Sequence, residues 1–443
     1  MTVHDRLGFA LSGASADSAE DYETGLAALQ RFAGDPIGAV ERALAASPGF
    51  VMAHVLKGWL YGLATEPDAT RVAQRCFEAA RVLPMTAREA GHVAALGALS
   101  EGRWHRAGLL LEDLSIDMPR DALALQAGHQ IDFFTGNARM LRDRIARALP
   151  AWDAAMPGYH AMLSAYAFGL EETGDYARAE ASGRHAVELE PRDGWGQHAV
   201  AHVLEMQSRQ ADGIAWMRAN PDNWTAESFF QVHNWWHLAL FHFDLGEIDA
   251  VLTLYDGPIH GGESAVALNM VDASAILWRL HLRGVELGER WTRLAELWAP
   301  FAGAANYAFN DVHAMMAFAG AGRGDLAANL LEAQRAAIEG GGDNAAFTRD
   351  VGHPASLAIK AFADGDYPTA IGLLKPIRAI AHRFGGSHAQ RDVLDLTLVE
   401  AALRAGERPL ACALAAERHA LRPQSPFSDL LLRRAQALPT AGP

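Results

Sequence analysis

Apolar residues recur at helical spacing along almost the whole chain. They fall three or four positions apart in segments of about 12 to 15 residues, and alternating runs of Val, Ile and Thr are scarce. Gly-Asp pairs, Gly-Glu pairs and prolines separate the segments, and such residues end helices and begin turns. The pattern predicts an all-α protein.

The turns between these segments recur at a regular period. Gly102, Gly136 and Gly174 are separated by 34 and 38 residues. Some turn glycines are followed five residues later by a small alanine, which lets two helices pack closely: Gly102 with Ala107, Gly174 with Ala179, Gly365 with Ala370, and Gly406 with Ala411. Gly246 and Gly324 mark further turns without the alanine. A period near 34 with these residues resembles the tetratricopeptide repeat.

The repeat pattern predicts one tetratricopeptide-like α-solenoid over residues 1–430. We expect about eight to ten helical hairpins, strongly curled around a central groove or pocket. Residues 431–443 form a tail that is expected to fray. A His/Trp-rich middle third covers residues 190–315, because eight of the 19 histidines and eight of the 11 tryptophans fall there.

Particular segments also resemble one family. They are HAVAHVLEM at 198–206, HNWWH at 233–237 followed by Ala239, Leu240 and Phe241, Tyr255-Asp256, Arg290-Trp291, and Gly386-Ser387 with Gln390, Arg391 and Asp392. Over most of residues 20–430 the chain resembles the tetratricopeptide-repeat protein 38-like proteins. The resemblance implies family membership and a helical-repeat fold, and it assigns no activity.

Imidazole and carboxylate side chains are predicted to face the inner groove. His198, His202 and Glu205 are spaced to share one helix face, and His233 and His237 are four residues apart. The catalytic candidates are His198, His202, Glu205, His233, His237, Asp272, Asp311 and His313. The substrate-binding candidates are Trp195, Trp235, Trp236, Asn310, Gln390, Arg391 and Asp392.

These residue types are compatible with several roles. Histidines four apart can bind one metal ion with a carboxylate, and the ligands would then be His198, His202, His233 and His237. Imidazoles can also transfer protons near neutral pH without a metal, or simply pack between helices. Asp272 could be a base, a ligand or a helix cap. Ser387 before Gln390 favours a cap over an anion site.

Composition and charge narrow the function further. The net charge of −15 argues against general nucleic-acid binding. Two cysteines, Cys76 and Cys412, exclude a disulfide framework and are expected to be structural thiols. No apolar run is long enough to span a membrane and no signal-peptide pattern is present, so we expect a cytoplasmic protein. Glycine-rich nucleotide motifs are missing, which predicts no nucleotide cofactor.

Two functions remain in competition. The first is a small-molecule enzyme of the hydrolase or lyase type, using acid–base or metal-assisted chemistry on a polar substrate in the inner pocket. The alternative is a module that binds a peptide or protein in the concave groove without catalysis. The clamp that binds carboxylate tails uses Lys, Arg and Asn, whereas this groove is predicted to present His, Trp and Glu. The sequence leaves the substrate, the metal and a homodimer open.

Overall fold

A computed structural model of the protein describes residues 2–439. Within that range the strands are two-residue elements, β1 (Val3–His4) and β2 (Ala10–Leu11), which pair antiparallel. The remaining regular structure of the described range is helical, apart from one isolated bridge between Ala33 and Ser228. The all-α prediction is therefore confirmed.

The helices of the first half follow one another through short turns. They are α1 (Ala16–Arg31), α2 (Pro36–Ala46), α3 (Val51–Gly62), α4 (Pro67–Ala80), α5 (Ala87–Ser100), α6 (Trp104–Asp117), α7 (Ala122–Phe134), α8 (Ala138–Ala148), α9 (Tyr159–Glu172), α10 (Tyr176–Leu189), α11 (Gly194–Met206), α12 (Gln210–Ala219) and α13 (Pro221–Thr225).

The second half continues in the same way. Its helices are α14 (Gln231–Leu245), α15 (Ile248–Leu254), α16 (Ala267–Leu282), α17 (Arg290–Trp298), α18 (Ala308–Gly320), α19 (Gly324–Glu339), α20 (Asp343–Phe347), α21 (His353–Ala363), α22 (Tyr367–Ile377), α23 (His388–Arg404), α24 (Arg408–Leu421) and α25 (Pro426–Gln436). Short 3₁₀ segments cover Leu149–Ala151, Ala299–Phe301 and Arg378–Phe384, and π-helical segments cover Tyr255–Ile259 and Thr348–Gly352.

Consecutive helices form the hairpins that the glycine–alanine spacing predicts. Helix α9 packs on α10, and α5 packs on α6. Gly102 and Gly174 adopt φ of 72° and 83°, a left-handed conformation that a side chain would disfavour. Ala107 and Ala179 are fully buried where the second helix meets the first. The protein is therefore a helical-hairpin repeat of the tetratricopeptide type.

One predicted turn glycine is displaced. Gly322, with φ of 67°, occupies the left-handed position, whereas Gly324 is already the first residue of α19. The Gly-Asp pair at 324–325 predicts the turn two residues too late along the chain. Glycine occurs both in the turn after a helix, as at Gly322, and at the first position of the next helix, as at Gly324.

The described residues divide into two compact units. The first comprises residues up to 200 together with 220–231, and the second comprises 201–219 together with the chain from 232 onward. In the first unit an aromatic core forms where Trp195 stacks on Phe32, with ring centroids 5.1 Å apart, and contacts Phe168.

The second unit is organised around α16. This helix packs against α17, α18 and α23. Its buried indole Trp278 donates Nε1–H to Thr397 Oγ1 at 2.9 Å, and Trp298 donates to Ser274 Oγ at 2.9 Å. The buried N–H groups of these two indoles thus both have acceptors.

The C-terminal part of the described range is helical. Fraying was predicted from residue 431, but helix α25 extends to Gln436. Its residues Leu431 and Ala435 are buried. Residues 440–443 lie outside the described range.

Cys76 is buried, and burial raises the pKa of its thiol, as expected for a structural cysteine. Across the described residues, none of the helices has the length and apolar character that a membrane span needs.

Candidate functional site

Residues of α11 and α14 that belong to the second unit bring imidazoles and a carboxylate together. The last residues of α11 supply His202 and Glu205, three positions apart on one face. Helix α14 supplies His233 and His237, four positions apart. Ser208 adopts φ of 54° and ends the first helix of this hairpin, at the position where the sequence predicted the turn.

The three histidines form a compact cluster. His202, His233 and His237 each offer one ring nitrogen, and these nitrogens lie within 4.8 Å of one another. The ring centroids of His202 and His237 are 4.4 Å apart, and those of His233 and His237 are 4.9 Å apart. Three imidazole nitrogens at such spacing can surround a single metal ion. We call these residues the His202/233/237 cluster.

Two carboxylates contact this cluster from outside. His233 Nδ1 lies 2.9 Å from each carboxylate oxygen of Asp272, and His237 Nδ1 lies 3.3 Å from Glu205 Oε2. The Asp272 carboxylate at Nδ1 of His233 holds the ring proton there, so that Nε2 keeps its lone pair for a ligand or a substrate proton. Asp272 therefore orients the His233 ring, whereas Glu205 lies close to Nδ1 of His237 without a hydrogen bond between the two groups.

Burial favours the neutral form of two imidazoles of the cluster. It lowers the pKa of His202 and of His237 well below the ordinary value, and the neighbouring imidazoles add to the effect. Both rings are thus neutral at neutral pH, the form that binds metals. Burial also raises the pKa of Asp272, against the opposing influence of His233.

Behind Glu205 lies a buried network of arginines and carboxylates. Arg422 Nη1 lies 3.5 Å from Glu205 Oε1, and Arg418 binds Asp392 through two contacts of 2.5 and 3.0 Å. A cavity of about 20 Å³ adjoins these side chains and is also lined by Arg279. That volume suits one water molecule. A larger substrate would therefore have to approach the cluster from another side.

The side chain of His233 offers such an approach. It is 13% exposed, whereas the side chains of His202 and His237 are fully buried. Trp236 is buried and stacks on the His233 ring, with centroids 5.3 Å apart and planes inclined by 17°. The neighbouring Trp235 is half-buried. Adjacent helical residues point about 100° apart, which explains why the two indoles differ.

Two of the sequence candidates lie in the first unit. His198 packs among Trp195, Phe168 and Phe230, with ring centroids 4.7, 5.3 and 5.2 Å away. Trp195 is part of the aromatic core of that unit. Trp195 therefore has a packing role, and its suggested contact with a substrate stays a prediction.

Helix α18 places its candidates in other surroundings. Asp311 is bound by Gln334, and burial raises its pKa to about 7. His313 Nδ1 donates to the Phe309 carbonyl oxygen at 2.8 Å, and burial lowers the pKa of His313 to about 4. Asn310 is also buried. In the part of the chain that is described, these contacts involve none of the His202/233/237 cluster.

The loop before α23 provides a helix cap. The hydroxyl of Ser387 accepts from the backbone N–H of Gln390, whose side chain accepts from the Ser387 N–H, forming a capping box. The predicted cap is confirmed, and the amide of Gln390 is used in it. Arg391 donates to the Gly386 carbonyl, and Asp392 is bound by Arg418.

Asp272 lies inside a helix. The cap considered for it is wrong, because α16 begins five residues earlier, at Ala267. Sequence reasoning also missed Arg279, which is fully buried on the same helix, donates to the Ala389 carbonyl at 2.6 Å and lies over the Trp236 ring. A lone cation in an apolar helical segment was the available signal for Arg279, just as a lone carboxylate was for Asp272.

The fold and site define a class, a helical-hairpin repeat protein with a buried histidine–carboxylate cluster in its second unit. No protein-family model matches the chain. Among solved structures, a chain of the complex titled "Structure of Naa15/Naa10 bound to HypK-THB" has 11% sequence identity and a TM-score of 0.26. The match covers 95% of this chain and 66% of that chain, just under two thirds. So distant a likeness indicates no function.

Proposed function

We propose that the His202/233/237 cluster holds one divalent transition-metal ion, and that the protein is a hydrolase or lyase that uses this ion on a small polar molecule. The observation that carries the proposal is the mutual approach of three ring nitrogens to within 4.8 Å in a buried site. Membership of the tetratricopeptide-repeat protein 38-like family is part of the same proposal.

The surroundings of the imidazoles favour a metal over proton transfer alone. Metal-bound histidines commonly donate their second ring N–H to a carboxylate, and Asp272 accepts such a bond from Nδ1 of His233. The depressed pKa of His202 keeps that ring neutral. Imidazole nitrogens of this number suit zinc in particular.

Catalysis at the ion would require one coordination position open to water or substrate. Catalytic zinc sites use three protein ligands and an open fourth position, at which the metal lowers the pKa of a bound water. In this chain the partly exposed His233 side gives a substrate access, and Asp272 fixes the His233 ring. Stacking of a planar substrate on the half-buried Trp235 is a further part of the proposal.

Metal content is the decisive measurement. Protein produced without a histidine tag should contain about one zinc-type ion per chain by elemental analysis. The double substitution His233→Gln/His237→Gln should remove it. A matched control is His185→Gln/His419→Gln, which changes two exposed or half-exposed histidines outside the cluster. If wild-type protein dialysed against zinc, manganese, cobalt and iron salts retains no metal, the proposal is wrong.

Asp272→Asn tests the orienting carboxylate without removing a ligand. Loss of such a partner weakens metal affinity by about 10- to 100-fold. We expect that decrease in a chelator competition assay, with circular dichroism unchanged. Hydrolytic activity toward small esters and amides should be lost on chelation and restored by the same metal.

Peptide binding in the groove is the alternative function. The buried positions of His202 and His237 do not favour it at this site, because a peptide needs exposed side chains to contact. A wild-type protein without metal that still captures peptides from a random library would support this alternative.

A further inference from the structure

A second polar cavity lies in the first unit, away from the His202/233/237 cluster in sequence. Its volume is about 210 Å³. The segment after β1, helix α1, the start of α5 and the end of α10 contribute one amide, Gln30, and the charged lining residues Asp5, Arg6, Glu23, Arg31, Arg88 and Glu190. Drug-sized pockets measure about 300–1,000 Å³, so this cavity suits a smaller molecule.

One part of the lining is acidic. Asp5 accepts from the backbone N–H groups of Leu7 and Phe9 at 3.1 and 2.8 Å, and Glu23 accepts from the Arg6 N–H at 2.7 Å. Burial nevertheless raises the pKa of both carboxyl groups. Asp5 also lies 3.5 Å from Arg88, so Glu23 is the carboxylate that a cation in the cavity would stabilise most.

Another part of the lining offers hydrogen-bond donors. Three buried nitrogens, Gln30 Nε2, Arg31 Nε and Arg88 Nη1, have no hydrogen-bond acceptor among the described residues. Gln30 and Arg88 are each only 5% exposed. Buried donors of this kind are costly unless something accepts from them. An oxyanion in the cavity would be such an acceptor.

The existing ion pairs leave the donors of Gln30 and Arg31 available, whereas Arg88 faces the Asp5 carboxylate. Arg88 binds Asp121 through Nε at 2.7 Å, while its Nη1 lies 3.5 Å from Asp5. Arg31 Nη1 is 3.9 Å from Glu190, a loose contact. The lining thus carries both signs of charge, so a simple anion or a simple cation would meet repulsion from one part of it.

The spacing of the two parts sets the ligand's length. Glu23 and Gln30 are seven residues apart on α1, which corresponds to about 10 Å along the helix axis. An α-amino acid is too short to reach both side chains. A molecule with its two charges several bonds apart can do so.

We propose that this cavity binds a short zwitterion, an ω-amino acid or a dipeptide, with its ammonium group at Glu23 and its carboxylate at Gln30 and Arg31. The guanidinium and amide donors recognise the carboxylate, and the Glu23 carboxylate recognises the ammonium group. The site is independent of the metal proposed for the second unit.

Titration calorimetry on the full chain tests the ligand class. The probes are 5-aminopentanoate and glycylglycine, and the single-charge analogues are pentanoate and pentylamine. At least one zwitterion should bind about tenfold or more tightly than either analogue, since each loses one charged contact. The proposal is overturned if neither zwitterion binds, or if an analogue binds as tightly.

Two substitutions test the assigned groups. Glu23→Gln removes one charge at constant shape, and Arg31→Gln removes one donor group; each should weaken the zwitterion by about tenfold. The matched controls are Glu20→Gln, on the same helix, and Arg71→Gln, both exposed and outside the cavity lining. Equal affinity in Glu23→Gln and Glu20→Gln would refute the placement. Metal content should be unchanged in all four variants.

Discussion

Asp311 is a buried acid whose neutralisation should change the pH dependence of stability. It is 5% exposed on α18, and its Oδ2 has no hydrogen-bond donor among the described residues. Burial is the main cause that raises its pKa from 3.8 to about 7, and a hydrogen bond from Gln334 opposes it. The substitution Asp311→Asn keeps the shape and removes the ionisation.

The sign and size follow from linkage. Because the pKa of Asp311 is raised in the folded state, its neutral carboxyl group contributes stability that is fully present below pH 3.8. This contribution to the free energy of unfolding is lost as the pH rises through about 7. Each pKa unit corresponds to about 1.4 kcal/mol, so the whole loss is about 4 kcal/mol, of which about 3 kcal/mol falls between pH 5 and 8. The neighbouring His313, with a pKa of about 4, stays neutral over that window.

Urea unfolding followed by tryptophan fluorescence at pH 5, 6, 7 and 8 measures the effect. The free energy of unfolding of Asp311→Asn relative to wild type should rise by about 3 kcal/mol from pH 5 to pH 8. The control Asp364→Asn changes an exposed acid of the same unit and should give a pH-independent difference. Parallel curves for Asp311→Asn and wild type would refute the argument that Asp311 is buried without a charge partner.

Three further changes test packing or a buried ion pair. In each, the free energy of unfolding is measured by urea denaturation. In Gly213→Ala the new methyl group would overlap the Phe241 ring, so we expect a loss of about 1–3 kcal/mol; an unaffected variant would contradict this packing. Gly372→Ala, in open space inside α22, should instead gain about 0.5–1 kcal/mol. Arg144→Met leaves buried Asp132 unpaired and should cost about 3–5 kcal/mol, most of it recovered by adding Asp132→Leu; an equally unstable double variant would speak against the pair.

Much of the helical architecture could be predicted from local patterns. Gly174 and Ala179 marked a hairpin because a left-handed turn residue and a small packing residue are needed at fixed offsets from it. The pair His233 and His237 was identified for the same reason, since residues four apart share a helix face. Ser387 and its capping box also depend only on residues within one turn.

The partners of these residues could not be predicted. Asp272 is 39 positions from His233, and Arg422 is further still from Glu205. Asp311 was assigned to the same pocket by its repeat position, yet its contact is with Gln334. Irregular repeats shift each helix relative to its neighbours, so an inward position in one hairpin need not meet the inward position of another.

The sequence by itself determined the helical hairpins and several of their turns and caps, because backbone hydrogen bonds, caps and turn glycines act over about four residues. It also determined which histidines share a helix face. Only the tertiary structure decided that His202, on α11, meets His233 and His237, on α14, and that Asp272 orients one of them. Such contacts depend on how buried side chains of distant helices fill space together, which no local pattern specifies.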